Sequence, residues 1–154
     1  MSVDVCVIVC RMLKGRTVVK LLIEDDIVTG AVLSSRTRRR LYHFNSIIIA
    51  TGDVIGGGLA IRGREITDPF DTLRVATSPP RAKAASGTGM AEAAEETGYL
   101  VGNDMRLISK EGRPLRNAFG AGAALAGFSF PTGVGLGGSL LTAFVAAKSV
   151  QEVS

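Results

Sequence analysis

The chain has 154 residues, a length that suits one domain with a core of its own. Apolar residues make up 46% and charged residues 21%, which excludes global disorder, and the formal net charge is +4. Two cysteines cannot build a disulfide framework or a zinc site, and with His43 as the single histidine no histidine-based catalytic arrangement is available.

At the front, Met1 to Asp4 has no positive region of a secretory signal, and no segment reaches transmembrane length, so the sequence predicts a cytoplasmic protein. Residues 3–10 form a β-branched run that reads as a buried strand, with Cys6 and Cys10 as buried thiols in a reducing compartment. Such a strand could open a dinucleotide-binding unit, but the G-x-G-x-x-G turn does not follow. Arg11, Met12, Leu13, Lys14, Gly15 and Arg16 stand in its place, and a pyrophosphate cannot approach a turn built of those side chains.

Residues 17–23 and 27–33 read as two strands joined by a turn at Glu24, Asp25 and Asp26. The polar tract 34–40, with Arg36, Arg38, Arg39 and Arg40, reads as a solvated tip. Residues 41–49 return as one strand, with His43 a surface or structural side chain. The end of that strand, 46–50, is apolar on both faces, as expected inside a covered sheet. Thr51 and Gly52 end it abruptly, which lets a flat ligand lie across its carboxyl end.

Gly56, Gly57 and Gly58 lead out of the sheet into an irregular excursion over 59–80 that contains Asp68–Pro69 and Pro79–Pro80. Residues 87–96 predict a small helix, with Ala91, Ala93 and Ala94 as helix formers and Gly98 as its cap. Residues 100–109 read as a strand pair, 110–114 as a turn, and 118–128 as a small-residue stretch leading to a glycine loop. That loop carries Gly133, Gly135, Gly137 and Gly138, with Ser139 as N-cap and Leu140, Leu141, Phe144 and Val145 following at helical spacing. Such a loop offers unpaired N–H groups and the positive end of a helix dipole to an anionic or electron-rich ligand. The plainer alternative is a glycine-rich turn before an ordinary packed helix.

An apolar strand ending in Ala50, Thr51 and Gly52, an inserted segment, and a glycine loop opening a C-terminal helix resemble the order in FAD-dependent oxidoreductases of the fumarate reductase and glycerol-3-phosphate dehydrogenase group. Residues 16–33 are similar to the β-hairpin that precedes Ala–Thr–Gly in that group. The glycine-rich phrases at 50–60 and 121–128 most resemble anaerobic glycerol-3-phosphate dehydrogenase, in its electron-relay or assembly chain rather than its catalytic one. The resemblance covers about residues 15–60 and 115–150. It implies an α/β fold, the C-terminal portion of a Rossmann-like flavoprotein domain that lacks the N-terminal G-x-G-x-x-G unit. Residues 1–60 would be a partial FAD-binding domain, 61–114 an inserted cap-like segment, and 115–154 the remainder of the FAD-binding domain.

Carried over residue by residue, the resemblance places Ala50, Thr51 and Gly52 beside the FAD phosphates and ribityl chain, with FMN as the alternative cofactor. Gly122 and Ala123 stand where many flavoproteins have glycine followed by an acidic residue that holds a ribityl hydroxyl, and Ala123 cannot make that contact. Gly137, Gly138, Ser139 and Leu140 would meet the flavin pyrimidine end at the helix N-terminus. No catalytic base and no metal ligand is assigned.

The missing front half implies a truncated or split reading frame, or one half of a two-chain flavoprotein. A partner subunit or self-association is therefore expected, with a small-molecule substrate and contact with a membrane only through partner subunits. If completed, the unit would oxidise glycerol 3-phosphate to dihydroxyacetone phosphate and pass electrons to a membrane acceptor. Two further readings stand beside this one: a folded remnant or assembly partner that binds no flavin by itself, and a nucleic-acid module using the arginine tip, which lacks the aromatic interleaving such modules use.

Overall fold

A computed structural model describes residues 13, 15–54, 56–63, 65–76, 97–127 and 135–153. The strand expected at 3–10 with Cys6 and Cys10, the helix expected at 87–96, and the part of the glycine loop at 128–134 lie outside the described residues. The rest is a mixed α/β domain of several small sheets and one C-terminal helix.

The first sheet is an antiparallel meander of β1 (Thr17–Glu24), β2 (Ile27–Ser34) and β3 (Arg39–His43). β1 and β2 meet through a two-residue loop in which Asp25 and Asp26 both take positive φ, 50° and 63°. A tight hairpin loop that matches strand twist needs positive φ at both positions, and aspartate tolerates it better than most side chains.

The strand expected over 41–49 is broken in two. β3 ends at His43, and β4 (Ile47–Ile49) belongs to a different sheet, ordered β4-β10-β9. The break is fixed from across the fold, because the Asn45 carbonyl accepts a 2.6 Å hydrogen bond from the Asn117 side chain. β10 (Pro114–Gly120) pairs with β4 in parallel and with β9 (Arg106–Ile108) antiparallel. Two smaller pairs complete the strands: β5 (Ala60–Arg62) with β6 (Glu65–Thr67), and β7 (Val75–Ala76) with β8 (Gly98–Tyr99). The strand pair read at 100–109 is realised as an isolated bridge between Val101 and Leu107 around a turn at Met105.

β10 is the spine. Leu115 and Ala118 join the main core with Leu21, Val28, Ile49, Leu73, Tyr99 and Leu107, all at 5% exposure or less. The next residue, Phe119, points to the other face and packs with Ala121 and Ala146 under the helix. Leu73, Tyr99 and Leu107, from the segment between 61 and 114, thus share one core with the meander.

The meander docks on β10 through polar contacts as well. Asn117 accepts from the Val28 N–H at 2.8 Å and donates to the Val28 carbonyl at 2.9 Å, imitating a strand neighbour with its side-chain amide. The Arg116 N–H donates to the Asp26 carbonyl at 2.8 Å, and Arg113 Nε pairs with the Asp26 carboxylate at 2.7 Å. That ion pair is the first cause of the raised pKa of Arg113.

Helix α1 (Gly135–Val153) begins four residues before Ser139. The N-cap role expected of Ser139 is corrected: it lies inside the first turns. Nor do its large apolar residues pack inward, as those of an ordinary packed helix would. The buried positions are Gly135, Ala146 and Ser149, whereas Leu136, Leu140, Leu141 and Phe144 are 77%, 65%, 65% and 69% exposed. Small residues let the helix lie close on β10, so the bulky ones are left on the opposite face. No helix among the described residues is long and apolar enough to cross a membrane.

Candidate functional site

The carboxyl ends of the parallel pair β4 and β10 open toward the start of α1, and three segments converge there. The ladder extends one step past the strands, since the Ala121 N–H donates to the Ile49 carbonyl at 3.0 Å. Ala50 and Thr51 follow β4 and are exposed, and Gly52 turns the chain at φ +83°. On the neighbouring strand, Gly122 turns at φ +69° into a 3₁₀ turn (Gly122–Ala124) that holds Ala123 half-buried. The Gly122 N–H donates to Thr142 Oγ1 at 2.9 Å, and Thr142 in turn donates to the Gly138 carbonyl at 2.8 Å. A Cβ placed on Gly122 would meet Ser139 Oγ at 3.5 Å, so Ser139 faces this turn.

The structure therefore brings Ala50, Thr51 and Gly52 together with Gly122, Ala123 and Ser139 around one crevice. Gly138 contributes its carbonyl to the Thr142 hydroxyl. Leu140 is not among the converging groups and lies on the exposed apolar face. Gly137 has nothing within 4 Å of an ideal Cβ, so its lack of a side chain makes no close approach possible that a side chain would block within this chain.

The wall behind Gly52 is held by Asp53, Gly58, Asp68 and Tyr99, none of which the sequence marks as a site residue. Gly56 and Gly58 fold back onto Asp53: Gly56 N–H donates to Asp53 Oδ1 at 2.7 Å and Gly58 N–H to the Asp53 carbonyl at 2.8 Å. Gly58 lies so close to Gly52 that a Cβ would fall 2.0 Å from the Gly52 carbonyl oxygen. The Gly58 carbonyl accepts from Tyr99 Oη at 3.3 Å, and Tyr99 Oη also lies 3.0 Å from Asp68 Oδ1. One phenol proton serves these two acceptors.

Asp68 is 3% exposed, and its carboxylate accepts backbone N–H groups of Phe70, Thr72 and Leu73 at 3.1, 2.7 and 2.8 Å. A buried carboxylate is tolerated where it is hydrogen-bonded in this way. Burial, and then the neighbouring carboxylate, push the Tyr99 phenol far above its ordinary value. The one signal for this hub was Asp68 itself, since Asp commonly bonds the backbone N–H two residues on. Tyr99 and Asn117 gave none.

Chemically this end of the sheet carries hydroxyls, one carboxylate and backbone edges, of which the Thr142 hydroxyl is already spent on Gly122 and Gly138 and Asp53 Oδ1 on the Gly56 N–H. Among the described residues that form it there is no lysine or histidine. Among the described residues no group of three His, Cys, Asp or Glu could hold a metal ion. His43 lies elsewhere, exposed on β3, its Nδ1 donating to the Thr29 carbonyl at 3.0 Å.

The fold is a small mixed α/β domain in which the carboxyl ends of a parallel strand pair meet the first turns of the C-terminal helix. No protein-family model matches the chain, and no solved structure matches it. It is similar to glutamate-1-semialdehyde 2,1-aminomutase of Anaeromyxobacter dehalogenans (strain 2CP-C), with 32% identity over 137 residues. The corresponding aminomutase of Anaeromyxobacter sp. (strain K) matches equally, and each alignment covers 87% of this chain and 31% of the relative. The chain thus spans about a third of the length of these relatives.

These similarities correct the expected cofactor. An aminomutase, as its name states, moves an amino group within one molecule, an isomerisation that delivers no electrons to a flavin. The assignments to FAD or FMN, and to a flavoprotein oxidoreductase of the glycerol-3-phosphate dehydrogenase kind, are withdrawn on that finding.

Proposed function

We propose that this chain is a non-catalytic part of a larger protein unit, supplying backbone walls for a small-molecule crevice and one apolar face for a covering partner. The observation that carries this reading is the outward face of α1. Leu136, Leu140 and Phe144 recur at i, i+4 and i+8 with Leu141 beside them, all between 65% and 77% exposed. A contiguous apolar stripe of this kind marks an interaction surface. Ile48 of the edge strand β4 is 41% exposed as well, although parallel strands are normally covered on both faces.

The crevice suits this accessory role. Its polar groups are hydroxyls, one carboxylate and main-chain atoms, which position a ligand but cannot hold a migrating amino group as a covalent adduct. Sedimentation of the purified chain tests the reading. The wild type is expected to self-associate or to travel with a partner, and Leu140→Glu/Phe144→Glu to run as a monomer with unchanged circular dichroism. A monodisperse wild-type monomer would overturn it.

A second reading concerns the completed unit and rests on the 32% identity to the aminomutases. In it, the unit moves an amino group, and the amine-handling residue comes from outside the described crevice. Incubating the co-purified unit with glutamate 1-semialdehyde and following the rearranged product tests this. Absence of product removes the second reading and leaves the first standing.

A further inference from the structure

We infer that a second cleft, on the side of the domain where α1 ends, binds a small oxyanion, a carboxylate or phosphate group. The cleft has a volume of about 440 Å³ and is lined by Ile27, Asn45, Arg106, Arg116, Asn117 and Val153. Volumes of this order hold small metabolites. Two arginines line it and no acidic residue does.

Both arginines are under-compensated. Arg116 is anchored through its backbone N–H to Asp26, yet its guanidinium has no acidic partner among the described residues. Arg106 pairs through Nη1 with Asp104 at 3.3 Å, with side chains 35% and 45% exposed, so the pair is weak and open to competition. Its Nε is buried with no acceptor, leaving a donor of that charged group unused.

The amides in the cleft divide their work. Asn117 spends its whole side chain on Val28 and Asn45 and only shapes the floor. The Asn45 amide has no partner among the described residues and can add a neutral donor. Ile27 and Val153 give apolar walls suited to a short carbon chain.

Three groups oppose an anion: Asp104, Glu152 in the last turn of α1, and the carbonyl end of that helix. The Arg113–Asp26 pair nearby is neutral as a unit. Planar fork recognition by arginine is what lets an oxyanion with fixed geometry outcompete a simple halide here. Affinity in the millimolar range is expected.

Ligand-observed magnetic resonance on the full chain tests this, because it reads binding whatever the association state. The probes are succinate, inorganic phosphate and chloride at matched ionic strength. Saturable binding of succinate or phosphate is expected, weakened about tenfold by Arg116→Gln and partly restored in Arg116→Lys, with the stronger probe identifying the oxyanion. Arg106→Gln should weaken binding similarly while leaving the fold unchanged. Equal effects of chloride, or binding unchanged in Arg116→Gln, would overturn the inference.

Discussion

Thr142 Oγ1 accepts the Gly122 N–H at 2.9 Å, and this bond ties the C-terminal helix to the exit of the central strand. It sits where the chain leaving β10 turns at positive φ and faces Ser139. Removing the hydroxyl should therefore loosen helix and crevice together. Thr142→Val is expected to cost about 1 kcal/mol, the net worth of one hydrogen bond. Thr142→Ser should stay near wild type. Chemical denaturation gives the stability, and amide exchange at Gly122 shows whether that N–H is the one released. Unchanged exchange in the valine variant would show that the bond does not hold this turn.

A larger loss is expected at Asn117, which is 8% exposed and bonds both backbone groups of Val28 and the Asn45 carbonyl. Asn117→Ala leaves all three without a partner, at a cost of about 3 kcal/mol. Asn117→Asp should be at least as damaging at neutral pH, since a carboxylate would face two carbonyl oxygens, and less so in acid once it is protonated. Denaturation midpoints of the two variants across pH decide this. Equal midpoints for alanine variant and wild type would remove Asn117 from its docking role.

Tyr99 sets an alkaline limit. Burial and Asp68 raise its phenol above the unfolded value near 10. With the folded value raised, the stabilisation is complete below about pH 10 and is lost as pH rises above it, because only the unfolded chain then releases the proton. Tyr99→Phe should flatten this alkaline decline. At neutral pH it should cost about 1 kcal/mol for the lost contacts to Gly58 and Asp68. Phenolate absorbance gives an independent check: in the folded wild type, the Tyr99 phenol should stay protonated as pH rises past about 10 and ionise only on unfolding.

Two glycines should respond in opposite directions to the same change. A Cβ on Gly98 would lie 2.2 Å from the Leu125 carbonyl carbon and 2.3 Å from the Ala126 nitrogen, so main chain would have to move. Gly98→Ala is expected to lose at least about 3 kcal/mol or fail to fold. At Gly137, inside the exposed helix, the added methyl meets open space, and Gly137→Ala should gain up to about 1 kcal/mol from helix propensity. Thermal melting of both variants tests the pair, and a destabilised Gly137→Ala would mean that this face is already in contact with another surface.

Local patterns by themselves determined the meander and its turn, because alternation and the Asp25–Asp26 loop act through neighbouring residues. They also determined that the chain closes on a helix, though not that it starts at Gly135 and takes in the last glycines. Gly98, read as the cap of a helix outside the described residues, instead lies in β8, where a close approach to Leu125 requires it. Only the tertiary structure decided where the strand over 41–49 would break, since the partner that breaks it is Asn117, 72 residues from Asn45. The same holds for the crevice: Ala50 and Gly122 become neighbours through parallel pairing of β4 and β10, which no local period encodes. The direction of α1 was equally hidden. Its sequence is apolar around most of its circumference, so periodicity could not say which face turns inward. Close packing on β10 decided it, by admitting Gly135, Ala146 and Ser149 and leaving Leu136, Leu140 and Phe144 outside.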